Sequence, residues 1–235
     1  MFAGVKCVTL DLDNTLWPIE PTISRAEEKL YQWMQSSYPK VTQKYASADI
    51  AAKRLALSKQ YPEIAHNLTE LRRHALLELA SEFNYDNNFA DEGLALFRQY
   101  RNQVKPYPAS EPVLALLGQH FKLGAITNGN AELEKISLGS FFDFVVTAEA
   151  AGASKPDSRL FTRAAEMAEV SVNQIVHVGD CAKSDVLGAM NAGCLSVWLN
   201  MERQAWPGGQ TPHAVIHCLS ELPTLLIKET NKPRS

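Results

Sequence analysis

The sequence predicts a doubly wound α/β domain built on a parallel sheet, with an all-helical segment inserted after the first strand. Three observations carry that reading. Short, near-continuous apolar runs recur along the chain, as strands covered on both faces require. Helical patterns separate several of these runs, which is the alternation of a doubly wound sheet. The stretch from about Trp17 to Lys105 instead contains helical stripes and no convincing strand.

The predicted strands are Val5 to Leu10, Lys122 to Ile126, Phe144 to Val146, Ile175 to Val178, Leu195 to Leu199 and a weaker Ala214 to His217. Between them, Ser110 can cap a helix carrying Val113, Leu114 and Leu117. Asp157 can cap another through Leu160, Phe161 and Ala164, and Gly193 stands where a helix from about Ser184 to Ala192 should stop. In the inserted segment, Ser24-Arg25-Ala26-Glu27 has the spacing of a capping box, followed by Leu30, Trp33 and Met34 at helical intervals. Ile64, Leu68, Leu71, Ala75 and Leu79 form a second stripe, and Phe89 to Tyr100 gives a further helix. Pro106 and Pro108 break the helical pattern before the sheet resumes.

Composition narrows the function classes. The chain has 235 residues, room for one or two domains and a real core, and 46% hydrophobic with 21% charged residues is ordinary for a soluble globular protein. A net charge of −3 and a pI near 6.1 give no electrostatic case for nucleic acid or an anionic membrane surface. The apolar run near the N-terminus is too short, and too soon followed by Asp11, for a signal peptide or a membrane span. Cys7, Cys181, Cys194 and Cys218 are irregularly spaced without a CxxC, so four free thiols in a reducing cytoplasm are expected. His213 and His217 would share a face of the last strand, but with no third ligand they read as surface residues. Lys228 to Ser235 should be a frayed polar tail. The absence of GxxxxGK[ST], HExxH and GxGxxG removes P-loop, zincin and dinucleotide-binding readings.

Chemistry concentrates where strands end, which is where open α/β sheets bind ligands. Asp11-Leu12-Asp13-Asn14-Thr15 follows the first strand, and alternation along an extended chain sends Asp11 and Asp13 to one side. Two carboxylates so close repel unless a cation sits between them, and a hard divalent ion meets that need. A plain turn is the bland alternative for this segment alone. Thr127-Asn128-Gly129-Asn130 closes the second strand with a hydroxyl and main-chain N–H groups that can hold phosphate oxygens. Lys155-Pro156 follows the third strand; held in a site, its ammonium would offset phosphate charge, whereas elsewhere it would be a solvated surface lysine. Gly179-Asp180 ends the fourth strand with Asp185 five residues beyond, adding oxygen donors for a metal.

Taken together and in order, Asp11 to Thr15, Thr127-Asn128, Lys155-Pro156 and Gly179-Asp180 through Asp185 resemble the four motifs of the haloacid dehalogenase-like hydrolases. The resemblance implies a Rossmann-like core at residues 1–16 and 106–235, with 17–105 as a helical cap domain of the type found on small-molecule phosphatases. It implies a magnesium-dependent phosphatase. Asp11 would be the nucleophile that becomes an aspartyl-phosphate, and Asp13 the acid and then the base. Thr127, the Asn128 amide and Lys155 would hold the phosphoryl group. Mg2+ would sit on Asp11, Asp180 and the Asp13 carbonyl, with Asp185 supporting Lys155 or the metal shell. The segments around Thr127, Lys155 and His177 to Asp180 are further similar to bacterial phosphatases acting on flavin mononucleotide and on 5-amino-6-(5-phospho-D-ribitylamino)uracil.

Dehalogenase chemistry needs no acid two positions after the nucleophile, where Asp13 stands. A phosphonatase would need a Schiff-base lysine from the cap, and Lys29, Lys44, Lys53 and Lys59 lie in no telling context. A phosphomutase shares the phospho-aspartate step, and sugar phosphates or pyrimidine nucleotides are alternative substrates. A catalytically idle phosphate-binding protein is the alternative from another class. Trp17, Tyr31, Trp33 and Tyr38 could pack as core or present flat surfaces to a heterocycle. The expected partner is a small phosphomonoester, with no nucleic acid and no membrane, while oligomeric state leaves no trace in the sequence.

Overall fold

The computed structural model describes residues 2–86 and 88–230 and divides into two compact units. The first comprises the chain up to Pro18, Lys105–Gly129 and everything from Leu133 on; the second comprises Ile19–Val104 and Asn130–Glu132. The last five residues of the expected frayed tail lie outside the described residues, whereas Lys228 to Thr230 continue a helix.

The first unit is built on six strands, β1 (Cys7–Leu10), β2 (Lys122–Thr127), β3 (Phe144–Thr147), β4 (Ile175–Gly179), β5 (Leu195–Leu199) and β6 (Ala214–Ile216). They form one parallel sheet in the order β3-β2-β1-β4-β5-β6. The chain therefore walks outward from β1 to β3 and then returns to lie on the other side of β1 as β4. That reversal opens a crevice at the carboxyl ends of β1 and β4, where ligands bind in sheets of this order. Leu10 sits in register with Ala125 on one side and Val178 on the other, so the residues just beyond all three strands emerge together. Two strands are shorter than expected for local reasons. Val5 donates its N–H to Phe2 in a turn, and His217 donates its N–H to Glu221, so β1 starts at Cys7 and β6 stops at Ile216.

The helical unit contains α1 (Ile19–Ser37), α2 (Pro39–Lys44), α3 (Ser47–Gln60), α4 (Leu68–Phe83) and α5 (Asn88–Arg101). α1 begins five residues before the expected capping box: Pro21 lies in its first turn, where no N–H is needed, and Ser24 donates to Glu20 instead of capping. α3 was not signalled, because Ile50 and Leu57 are its buried apolar residues and make too sparse a stripe to read. α4 is capped by Asn67, whose side chain accepts from the Glu70 N–H, while Ile64 falls in the preceding 3-10 turn. The unit's core joins Leu30, Met34, Leu76, Leu79 and Phe97 to Phe89, on which Trp33 stacks with ring centroids 5.4 Å apart. Tyr38 packs edge-on to Phe89 and Tyr85, and Tyr31 donates to the Tyr45 carbonyl, so these aromatics are packing residues. Inside the same unit the Arg72 guanidinium lies 3.3 Å over the Phe97 ring and grips Glu27 at 2.6 and 3.1 Å.

The sheet is covered by α6 (Ser110–Leu117), α7 (Ala148–Ala151), α8 (Ser158–Ala168), α9 (Gly188–Asn191) and α10 (Leu222–Thr230). α8 buries Leu160, Phe161, Ala164, Ala165 and Ala168 on Ile126, Phe144, Val146 and Ile175; a fully buried side chain of the larger kind contributes about 1.5–3 kcal/mol. Asp157 caps α8 as expected. Ser110 does not cap α6; its hydroxyl donates instead to the Leu16 carbonyl at 2.7 Å. The helix expected from Ser184 starts at Ala182 as a wide π turn, because Asp185 and Val186 both donate to the Cys181 carbonyl, and becomes α-helical only from Gly188. Gly193 follows with φ of 87°. Among the described residues no helix is long and apolar enough to cross a membrane. The four cysteines are free, with Cys7 and Cys194 buried and Cys181 and Cys218 exposed.

Candidate active site

Asp11 stands one residue beyond β1 and donates its N–H to the Val178 carbonyl at 2.9 Å, which fixes it beside the end of β4. The chain then coils tightly. Leu16 donates back to Leu12 at 2.8 Å, Asn14 donates to Trp17 at 2.7 Å, and Asn14 takes the left-handed φ of 60° that asparagine tolerates better than most residues. This coil brings the Trp17 indole N–H to 2.8 Å from Asp13 Oδ1. The Trp17 ring is completely buried, so it holds Asp13 in place and presents no open stacking surface.

Lys155 is no surface lysine. Its side chain is 1% exposed, and Nζ lies 2.6 Å from Asp11 Oδ1, 2.7 Å from Asp185 Oδ1 and 2.6 Å from the Ile126 carbonyl. Its main chain is fastened by the Asn128 side chain, which accepts from the Lys155 N–H at 2.7 Å and donates to the Lys155 carbonyl at 3.0 Å. Thr127 closes β2 with its hydroxyl oxygen accepting from the Gly129 N–H at 2.9 Å. Thus the ends of β2 and β1 and the loop between α7 and α8 deliver Thr127, Asn128, Lys155 and Asp11 to one place.

Asp185 reaches the same place from the π turn after β4. It passes so close to Gly179 that a Cβ there would lie 2.4 Å from the Asp185 carboxyl carbon, so this position needs glycine. The Cys181 N–H donates to Asp185 Oδ2 at 2.9 Å, and the Trp198 indole donates to the Asp180 carbonyl at 2.8 Å. Thr9 and His177 were missed from sequence. They are register neighbours on β1 and β4, with Thr9 Oγ1 2.9 Å from His177 Nδ1 and His177 Nε2 3.6 Å from Asp185 Oδ1. The available signal was a polar residue in the middle of each of two strands buried on both faces. His213 and His217 do not meet: His213 Nδ1 bonds Ser196, and His217 Nδ1 lies 2.7 Å from the Asn200 carbonyl.

Charge at the site is unbalanced. Carboxylate oxygens of Asp11, Asp180 and Asp185 lie within 4.8 Å of one another, the grouping among the described residues that could hold a metal ion. Burial pushes Asp11 up to about 8, reinforced by Asp185 and Asp13 against the pull of Lys155. Burial and then Asp185 push Asp180 up to about 6. Burial would raise Asp185 as well, but Lys155 and His177 outweigh it and hold that carboxyl well below the usual range. Burial would lower Lys155, yet Asp11 and Asp185 outweigh it and hold its ammonium above the ordinary value, while burial pushes His177 below its own. One ammonium thus serves three carboxylates. A divalent cation with oxygen ligands fits that deficit.

A reversed parallel sheet with its carboxylates and lysine converging at the strand ends defines the class, a Rossmann-like hydrolase core. The chain belongs to the haloacid dehalogenase-like hydrolase family, whose model matches residues 5–193. It is 31% identical to the 5-amino-6-(5-phospho-D-ribitylamino)uracil phosphatase YigB of Escherichia coli, over 94% of this chain and 96% of that one. Pyrimidine 5'-nucleotidase YjjG of the same organism is 36% identical over 52% of this chain and 57% of its own. A crystal structure described as a 2-haloacid dehalogenase from Pseudomonas syringae superposes with a TM-score of 0.90 at 36% identity, covering 96% of this chain and 99% of that one.

Proposed function

We propose that the protein is a magnesium-dependent phosphatase of small phosphomonoesters that works through an aspartyl-phosphate on Asp11. The observation that carries this reading is the Lys155 ammonium held between Asp11 and Asp185, with Asp13 two residues from the nucleophile. Asp11 attacks phosphorus, the P–O bond to the leaving group breaks, and Asp13 gives that oxygen a proton. Water then attacks the aspartyl-phosphate; Asp13 takes its proton, and inorganic phosphate leaves Asp11 free. The Trp17 N–H donates to Asp13 Oδ1 and so orients the carboxyl for this proton traffic. Thr127 Oγ1 already accepts from Gly129, so its own proton is available to the phosphoryl group. Because the Asn128 side chain is engaged with Lys155, its share is a main-chain N–H. Lys155 offsets phosphoryl charge, and His177 steadies Asp185 behind it. Asp11, Asp180 and the Asp13 carbonyl would hold Mg2+, with Asp185 close by; when bound, the ion neutralises charge on the phosphoryl oxygens.

For the substrate we favour 5-amino-6-(5-phospho-D-ribitylamino)uracil or flavin mononucleotide, on the full-length similarity to YigB. Sugar phosphates and pyrimidine nucleotides are the alternative, the latter supported by the shorter similarity to YjjG. In this reading the helical unit is a cap that selects the leaving group. Phosphate release with magnesium, first from p-nitrophenyl phosphate and then from these candidates by kcat/KM, tests it. The flavin-type substrates should lead; if both rank last the substrate assignment falls, and if no phosphomonoester is hydrolysed the whole reading falls. The likeness to the structure described as a 2-haloacid dehalogenase favours a second reading. Halide release from a 2-haloacid without phosphatase activity would establish it, against the expectation from Asp13.

A further inference from the structure

Two polar side chains stand in the middle of strands that are buried on both faces, where apolar residues are the rule. Thr9 on β1 and His177 on β4 are register neighbours, and Thr9 Oγ1 lies 2.9 Å from His177 Nδ1. The other ring nitrogen, Nε2, has no hydrogen-bond partner. It faces Asp185 Oδ1 at 3.6 Å, beyond hydrogen-bond reach but close for a ring dipole beside a carboxylate. Thr9, His177 and Asp185 are all buried. The Asp185 carboxylate is held from two further sides: Oδ2 accepts from the Cys181 N–H at 2.9 Å, and Oδ1 lies 2.7 Å from Lys155 Nζ. Packing alone does not account for an imidazole here. The ring meets Phe161 edge-on with centroids 5.2 Å apart, a contact that a phenyl ring would make as well without burying two nitrogens.

We propose that His177 is a positioning residue: with a proton on Nε2 and Thr9 on its other nitrogen, it orients Asp185 and, through Asp185, the Lys155 ammonium. The role rests on the phosphatase reading and deepens it by naming what stands behind the lysine. Of the two neutral forms of the ring, a proton on Nε2 turns an N–H dipole toward the carboxylate, whereas a bare Nε2 would turn a lone pair on it. Asp185 therefore favours the first form, and the Thr9 hydroxyl completes it by donating to Nδ1. The two carboxylates on Lys155 do not stay equal during turnover. Asp11 gives up its carboxylate charge when its oxygen bonds phosphorus, so Asp185 is then the carboxylate that keeps the ammonium aimed at the phosphoryl group. A carboxylate free to turn would let Nζ drift at the step where its charge matters most.

The test uses the full chain with magnesium and beryllium trifluoride, an anion that takes the phosphoryl position on Asp11. It compares wild type with Thr9→Val, Thr9→Ser, His177→Phe and the double replacement of Thr9→Val with His177→Phe. His177→Phe keeps a ring against Phe161 but strands the Thr9 hydroxyl, and should lower Tm. The double replacement removes both polar partners and should recover most of that Tm. Beryllium trifluoride affinity, read by calorimetry, and kcat should fall about tenfold in both variants and not return with Tm, while KM changes less. A folded double variant whose affinity and kcat recover along with its Tm would show a packing role and overturn the proposal. Should the phenylalanine variants fail to fold, Thr9→Val, which leaves the imidazole in place, should still lose affinity where Thr9→Ser does not; equal affinity in those two overturns the proposal. Wild type supplies a reading that no folding defect can obscure: the ring-nitrogen NMR resonances of His177 should show a protonated Nε2, and a bare Nε2 overturns the proposal. Wild type that neither binds beryllium trifluoride nor hydrolyses p-nitrophenyl phosphate would instead bring down the phosphatase reading, and the role of His177 with it.

Discussion

The two units bury charge in opposite ways. In the helical unit Arg72 meets Glu27 in a two-pronged pair and lies flat on the Phe97 ring, so the sunken guanidinium is matched. In the sheet unit Lys155 faces both Asp11 and Asp185, with Asp180 nearby, and negative charge remains in excess. A matched buried pair holds a fold in one arrangement; an unmatched cluster costs folding free energy and marks a candidate site for a cation. The distinction separates packing from chemistry without reference to any relative.

The largest effect should fall on the unmatched side. Asp11→Asn is expected to lower kcat by three or more orders of magnitude, on the scale of losing a covalent nucleophile. Because it removes one of the surplus carboxylates, Tm in the absence of metal should hold or rise. Turnover near the wild-type value in a folded variant would end the aspartyl-phosphate mechanism, and a large drop in Tm would end the claim that the cluster is strained. Arg72→Met should do the reverse. Arg54 still lies 3.4 Å from Glu27, whose side chain is 21% exposed, so losing the Arg72 contacts should cost about 2 kcal/mol of stability, read by urea unfolding, while turnover per folded molecule stays within a few-fold.

How far the sequence could be read follows the same division. Asp11, Thr127 and Asp180 were legible because each closes or directly follows an apolar run, whereas Lys155 lies well beyond β3, past α7, and was placed in the site only by the resemblance of the motifs taken together. What lies behind them was not legible. His177 finds Thr9 across 168 positions, a contact that no local pattern announces. Trp17 was ambiguous because only the left-handed turn at Asn14 folds its ring inward onto Asp13. In the helical unit α4 and α5 announced themselves by dense apolar stripes, while α3, with buried apolar residues only at Ile50 and Leu57, did not. Local propensity also misplaced the start of α1, since Pro21 reads as a breaker unless it falls within a first turn.

Metal should sharpen the contrast next. Magnesium at about a hundred times its dissociation constant adds about 2.7 kcal/mol to the stability of the state that binds it. For a chain of this size that is a rise in Tm of about 5–10 °C in a thermal scan. The gain should persist in Arg72→Met and vanish in Asp180→Asn; an undiminished gain in Asp180→Asn would remove that residue from the metal site. Phosphate release should stop with EDTA and return with added magnesium, and full activity after exhaustive chelation would exclude the ion.

The smallest effect asks whether the two units respond separately in stability as well as in charge. Each carries a helix held by one polar cap: Asn67 accepts from the Glu70 N–H at the start of α4, and Asp157 accepts from the Arg159 N–H at the start of α8. Replacing either by alanine orphans one helix N–H and should cost about 1 kcal/mol. The additional Asp157–Arg159 side-chain pair is largely exposed and adds little to that figure. About 1 kcal/mol corresponds to roughly fivefold faster exchange of amides that are freed when the helix opens with its neighbours. Asn67→Ala should accelerate amides of α4 and α5, which share the Leu76, Leu79 and Phe97 core, and leave those of β1, β2 and β4 at the wild-type rate. Asp157→Ala should accelerate α8 and β3, which share the Phe161 and Phe144 core, and leave α4 unchanged. Equal acceleration everywhere in both variants would mean that the chain opens as one cooperative body, and the boundary at Ile19 and Val104 would then separate two kinds of chemistry within a single folding unit.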